Sequence, residues 1–271
     1  MQGYEQDSFV GNMLVNLYAK RGALWEAKQV FDALQVKSSE TWTSLITGYV
    51  EQDKSMEALN CFEHMKLGGI FLDAVLFVCV LKACGCSKGV EKSLEVHQEI
   101  LRKGLEQDPF VGITLVDVYC KCNLLPEAHV VFLTLPDKTT VAWNALIGGY
   151  AEHGPSHVAL SLYAEMQIQG TSPSVVTYIS ALRASGQIGA IEEGRKIHKE
   201  LRQRGVEEDP FVISTLIDMY AECGSLQEAW GAFNKLPRGD VLPSWNAMLK
   251  ACGISNDGEI RPSTYLSKCK K

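Results

Sequence analysis

The chain is predicted to be all-α, a solenoid of helix-turn-helix hairpins stacked one on the next, for three reasons. Asp7-Ser8-Phe9 returns as Asp108-Pro109-Phe110 and as Asp209-Pro210-Phe211, each time 101 residues further on. Self-similarity at a fixed period marks an array whose units bury their apolar faces only against their neighbours. Within a period the apolar residues fall at the i, i+3, i+4, i+7 intervals of a helix face. A content of 46% hydrophobic and 21% charged residues over 271 positions is that of a folded chain.

Each period divides into one short repeat of 31 residues and two long repeats of 35. The repeats run 8–38, 39–73, 74–108, 109–139, 140–174, 175–209, 210–240 and, in part, 241–254, between a tail at 1–7 and an irregular segment at 255–271. In the short repeat Val10, Leu14 and Tyr18 recur as Val111, Leu115, Tyr119 and as Val212, Leu216, Tyr220. They define a first helix, A, that should stop at Gly22, Asn123 and Gly224, residue types that take a left-handed C-terminal cap. The second helix, B, carries Ala27, Val30, Phe31 and Leu34, answered by Ala128, Val131, Phe132, Leu135 and by Ala229, Ala232, Phe233, Leu236, with Pro136 and Pro237 ending two of these helices. The first long repeat has Trp42, Ile46 and Tyr49 on A and Ala58, Leu59, Phe62 and Met65 on B, matched by Trp143, Ile147, Tyr150, Ala159, Leu160, Tyr163 and Met166. The second pairs Leu81, Ala83, Val96 and His97 with Leu182, Ala184, Ile197 and His198. Trp42, Trp143, Phe31 and Phe132 read as core.

The ends depart from the pattern. Gly3 to Asp7 matches Gly104 to Asp108, so the chain is expected to begin in the tail of a second-type long repeat. Trp245-Asn246-Ala247 resembles Trp143-Asn144-Ala145 with one extra residue around Gly239 to Pro243, and the pattern dissolves after Gly253. The polar sequence from Ser255 onward is expected to fray.

The longest apolar run, Ala74 to Leu81, falls far short of the roughly 20 residues of a membrane span. Glu5 and Asp7 stand where a transit peptide avoids acids, and no secretory signal is visible. Among nine cysteines, Cys84-Gly-Cys86 and Cys120-Lys-Cys122 have one intervening residue instead of the two of common zinc sites. Cys120 is answered by Ala19 and Ala221 and Cys84 by Ser185, so these are small packed residues, and no metal site or cofactor is expected.

The alternation of 35, 35 and 31 residues, with Tyr18-Ala-Lys-Arg-Gly-Ala-Leu24 and Thr41-Trp-Thr-Ser-Leu-Ile46, resembles a plant pentatricopeptide repeat protein of the PLS subclass, expected to lack the DYW-type deaminase domain in which relatives often end. The resemblance covers about residues 3 to 252 and implies a right-handed superhelix whose A helices each address one base of single-stranded RNA. In that family the fifth and last residues of a repeat select the base. The resemblance therefore assigns Asn12 with Ser38, Thr43 with Asp73, Asn144 with Ser174 and Ser214 with Asp240. Val78 with Asp108, Ile113 with Thr139 and Ile179 with Asp209 are unreadable pairs. Asn with Ser favours cytosine and Thr or Ser with Asp favours guanine, giving 5′-C-G-N-N-C-N-G-3′. The second residue stacks on bases, a role that falls to Phe9, Val75, Phe110, Val141, Val176 and Phe211, with Glu40 breaking the series. Lys20 and Lys121 take the thirteenth position used for phosphate contact, where Glu51, Glu152 and Glu222 stand elsewhere. The family implies a mitochondrial or chloroplast location and an editing or processing enzyme acting in trans.

A net charge of −6 argues against strong nonspecific attraction to a polyanion, although Arg183, Arg195, Lys196, Lys199, Arg202 and Arg204 form a local basic run with Glu192, Glu193 and Glu200 nearby. The rival reading is a helical-repeat scaffold for protein partners. An enzyme is not expected. His97-Gln98-Glu99 and His198-Lys199-Glu200 fit half of a deaminase signature, but they occupy equivalent helix-B positions and no Pro-Cys-x-x-Cys follows. His153 and His157 are separated by Gly154-Pro155, which breaks the helix that would pair them.

Overall fold

The structure is a computed structural model that describes residues 8–235. Among them are fourteen α-helices and no strand. In chain order they are α1 (Ser8–Lys20), α2 (Leu24–Ala33), α3 (Ser39–Glu51), α4 (Ser55–Leu67), α5 (Ala74–Ser87), α6 (Val90–Lys103), α7 (Pro109–Lys121), α8 (Leu125–Thr134), α9 (Thr140–His153), α10 (Ser156–Ile168), α11 (Val175–Gln187), α12 (Ile191–Gln203), α13 (Pro210–Glu222) and α14 (Leu226–Phe233). The chain divides into two compact bodies, 1–138 and 139–271. In the first, α1 packs on α2 and α3, α3 on α4 and α5, α5 on α6 and α7, and α7 on α8. In the second, α9 packs on α10 and α11, α11 on α12 and α13, and α13 on α14. Within each body an odd-numbered helix thus touches its hairpin partner and the next odd-numbered helix, the contact pattern of an all-α solenoid.

Local chemistry sets where these helices begin and end. The residue before each odd-numbered helix from α3 onward is Ser38, Asp73, Asp108, Thr139, Ser174 or Asp209, and its side-chain oxygen accepts a backbone N–H of the first turn. Such a cap is worth about 1 kcal/mol. Proline opens α7 and α13, where its missing N–H has no intrahelical partner to lose. At the far end, Gly22, Asn123 and Gly224 have φ of 72°, 59° and 77°. That left-handed turn lets the N–H groups of Ala23, Leu124 and Ser225 reach back to the carbonyls of Tyr18, Tyr119 and Tyr220 at 3.0, 2.8 and 2.8 Å. The A helices stop where the sequence places the caps. Gly154, by contrast, is extended and Pro155 follows it, so α9 and α10 separate His153 from His157.

The core follows the apolar stripes. Trp143, Phe132 and Phe31 are buried, but Trp42 is only partly so and packs edge-on against Phe31 with ring centroids 4.5 Å apart. Leu34 and Leu135, expected on helix B, lie one residue past its end in extended conformation, and this swings their side chains back into the core. Close approach of neighbouring A helices depends on small residues. A Cβ on Gly48 would lie 2.8 Å from the Cβ of Ala19, and one on Gly186 would lie 3.1 Å from the Cα of Met219. Pro237, Leu236, Trp245 and the tails at 1–7 and 255–271 fall outside the described residues.

Candidate nucleic-acid interface

The first turn of each odd-numbered helix carries the same arrangement. Its second residue is exposed, its third points inward, and its fifth, three positions on from the second, shares the outward face. Phe9, Val75, Phe110, Val141, Val176 and Phe211 are the second residues, and their exposure runs from 56% at Val176 to 75% at Phe110. Six large apolar side chains in solvent at one repeating position are not core residues. Glu40 is exposed at the same place in α3.

The fifth residues fall into chemically distinct groups. Asn12 Nδ2 donates to Ser38 Oγ at 3.2 Å, and Thr41 Oγ1 donates to Asn12 Oδ1. Asn144 repeats this: its Nδ2 donates to Ser174 Oγ at 2.9 Å and its Oδ1 accepts from Thr177 Oγ1 at 2.5 Å. Each amide keeps one N–H and one oxygen lone pair uncommitted, a donor beside an acceptor. Thr43 and Asp73 are not brought together in this way. Thr43 donates to the carbonyl of Ser39 at 2.9 Å, while Asp73 accepts the N–H of Leu76 at 2.8 Å. Ser214 likewise donates to the carbonyl of Pro210 at 2.9 Å, and Asp240 lies outside the described residues. Val78, Ile113 and Ile179 are half-buried and apolar.

Two features went unread in the sequence. The last residue of each repeat from 8–38 to 175–209 is also the N-cap of the next A helix, a position that favours Ser, Thr, Asp or Asn whatever else the residue does. The signal was present, since Ser, Thr or Asp precedes every one of these helices. Thr41 and Thr177, third in their repeats and fully buried, were also missed as partners of the asparagines.

Some of the charged groups are paired with neighbours. Lys121 pairs with Asp117 at 2.7 Å, whereas Lys20 is exposed at the end of α1. In the basic run Arg195 bonds Glu228 at 2.8 Å and Lys196 bonds Glu193 at 2.7 Å. His198, Arg202 and Lys235 converge on Glu207, and although partial burial opposes it, their hydrogen bonds bring its carboxyl down to about 2. The two His-x-Glu triplets are not catalytic pairs. His97 Nδ1 lies 2.6 Å from the Tyr119 hydroxyl and His198 Nδ1 2.8 Å from that of Tyr220, each tying a B helix to the next A helix. Burial pushes the Cys84 and Cys120 thiols up to about 12, so they stay protonated. Among the described residues no cluster of three His, Cys, Asp or Glu could hold a metal ion, and no helix is long and apolar enough to cross a membrane.

A model of the PPR repeat matches residues 12–38, 40–70 and 211–241, and a model of the PPR repeat family matches 138–187, together about half of the chain. The chain belongs to the pentatricopeptide repeat family. A chloroplastic pentatricopeptide repeat-containing protein of Arabidopsis thaliana is 34% identical over 260 residues, which cover 96% of this chain and 42% of that protein. A mitochondrial one from the same plant is 32% identical over 254 residues, covering 93% and 45%. The chain thus spans less than half the length of these relatives. Among solved structures, the pentatricopeptide repeat protein PPR10 in complex with an 18-nucleotide psaJ RNA element superposes with a TM-score of 0.79 at 16% identity, over 92% of this chain and 38% of that one. At that identity the likeness shows the fold: this pentatricopeptide repeat chain is an α-solenoid of helical hairpins.

Proposed function

We propose that the chain binds single-stranded RNA in a sequence-dependent manner, one base to a repeat. The observation that carries this reading is the first turn of the odd-numbered helices. There an exposed apolar side chain suited to stacking on a base stands one helical turn from a fifth residue able to meet the base edge. Asn12 and Asn144, each offering a donor beside an acceptor, select cytosine. Thr43 with Asp73 and Ser214 with Asp240 select guanine. Val78, Ile113 and Ile179 discriminate little. The fold shared with an RNA-bound PPR10 supports the reading, as do the 35-35-31 spacing of the PLS subclass and relatives named as chloroplastic or mitochondrial. The names of these relatives favour an organellar site, and an editing or processing enzyme acting in trans is part of the proposal.

The charge shapes the affinity. With −6 overall and Lys121 already paired, phosphate neutralisation contributes little, and base contacts dominate. The test is a filter-binding titration of 5′-C-G-N-N-C-N-G-3′ RNA against scrambled RNA at two salt concentrations, repeated with Thr43→Asn. The variant should shift preference at the second base from guanine toward a pyrimidine. Equal binding to all sequences at low salt would remove the reading and leave a protein-binding scaffold in its place.

A further inference from the structure

In α3 and α11 a fully buried threonine occupies the third position of the repeat, Thr41 and Thr177. At the same place in the other described A helices stand Val10, Leu76, Val111, Ala142 and Val212. A buried hydroxyl without a partner costs about 1–3 kcal/mol, so a threonine in an otherwise apolar position asks for a reason. The structure supplies one. Thr41 Oγ1 donates to Asn12 Oδ1 and lies 2.8 Å from Ser38 Oγ, which accepts from Asn12 Nδ2. Asn12, Ser38 and Thr41 close a ring of three side chains from two successive A helices. Asn144, Ser174 and Thr177 close the same ring, and there the backbone N–H of Ser174 also donates to Thr177 Oγ1 at 2.9 Å.

The two threonines follow the only two asparagines at the fifth position of a described repeat. Leu76, Val111, Ala142 and Val212 follow Thr43, Val78, Ile113 and Ile179, none of which has an amide to hold. Within one chain the buried hydroxyl and the preceding asparagine come and go together.

We infer that Thr41 and Thr177 are positioning residues for base selection: each holds the amide plane of the asparagine in the preceding repeat, so that its free N–H and lone pair meet the base edge in one fixed orientation. The inference rests on the proposed reading of Asn12 and Asn144 as base-selecting residues and adds the group that orients them. Serine at the end of the repeat does not suffice alone, because its single bond to the amide leaves the side chain free to rotate about it.

The test compares wild type with Thr177→Val, which is nearly isosteric, Thr177→Ser, which keeps the hydroxyl, and Asn144→Ala. Dissociation constants are measured for RNAs that vary only at the fifth base or only at the first. Thr177→Val should lower discrimination at the fifth base by about 2- to 10-fold, the range that one hydrogen bond commands. Discrimination at the first base, facing Asn12, should stand, and Thr177→Ser should restore the fifth. A second readout needs no RNA: the side-chain amide protons of Asn144, followed by nitrogen-15 NMR, should shift and exchange faster with solvent in Thr177→Val. Full discrimination in Thr177→Val alongside its loss in Asn144→Ala would overturn the inference, as would an unmoved Asn144 amide signal. Unchanged discrimination in Asn144→Ala would instead remove the base reading itself, and with it the selective role of the threonine, even if the amide signal moves.

Discussion

Replacing Gly48 with alanine tests the close approach of α1 and α3 on which the Asn12 ring depends. Alanine in a helix interior is ordinarily favoured over glycine by about 1 kcal/mol. Here the added Cβ would sit 2.8 Å from Ala19 Cβ, against an optimal carbon separation of about 3.5–4.0 Å. Neither atom can rotate away, because both are fixed to backbone. Overpacking of this kind costs about 1–3 kcal/mol, so the net effect is a destabilisation of about 0–2 kcal/mol. Gly148 is the control: the nearest atom to its added Cβ is Ser180 Oγ at 3.7 Å, an ordinary contact, so Gly148→Ala should stabilise by up to about 1 kcal/mol. The two variants should therefore diverge in sign, and their unfolding midpoints in a thermal scan followed by circular dichroism should differ by several degrees, at about 2–4 °C per kcal/mol for a chain of roughly this size. Gly48→Ala should also weaken discrimination at the first RNA base, since it pushes Asn12 away from Ser38 and Thr41. If Gly48→Ala raises the midpoint as much as Gly148→Ala does, the helices are not packed as closely as described and the reasoning fails.

Other expectations follow from the same structure. Leu115, buried within α7, should cost about 2–5 kcal/mol when cut to alanine, read as an earlier urea transition; an unchanged transition would contradict its core placement. Phe110→Ala and Phe211→Ala should leave stability within about 0.5 kcal/mol, because both rings are in solvent, yet weaken RNA binding by about 1–3 kcal/mol per lost stack; binding equal to wild type would refute the stacking role. Burial holds the imidazoles of His97 and His198 below their ordinary range. The unfolded chain thus takes up protons first as pH falls through about 6.5, and the stability present above that pH declines below it. Glu207, held at about 2, adds stability that is present above about pH 4.3 and lost as pH falls toward 2. Urea midpoints should therefore drop between about pH 7.5 and pH 5, and His97→Gln should flatten that slope; a midpoint independent of pH would contradict the assignment.

Helix identity was legible because capping and periodicity are local. Gly22 and Asn123 announce a stop and the stripe from Val111 to Tyr119 a buried face, while the equally local start signals Asp108-Pro109 and Asp209-Pro210 went unread. For Phe110 and Phe211 it was the family resemblance that implied an accessible position, and both are exposed. The ring around Asn12 was not. It joins side chains 26 and 29 residues apart, and the packing of α1 against α3 brings them within bonding distance. The pairing of Lys121 with Asp117 was overlooked although i, i+4 spacing shows it, because the lysine was read for phosphate. Trp42 was expected in the core, yet it lies at the partly open edge of the α2–α3 contact, which periodicity alone does not distinguish from the interior.

Selection of bound RNA from a random pool tests base reading most directly. The expected outcome is an enriched single-stranded motif with guanine second and cytosine first and fifth, three nucleotides separating the bases that face Asn12 and Asn144. Recovered RNAs with no shared motif, or with a motif that ignores the spacing of those two asparagines, would contradict it.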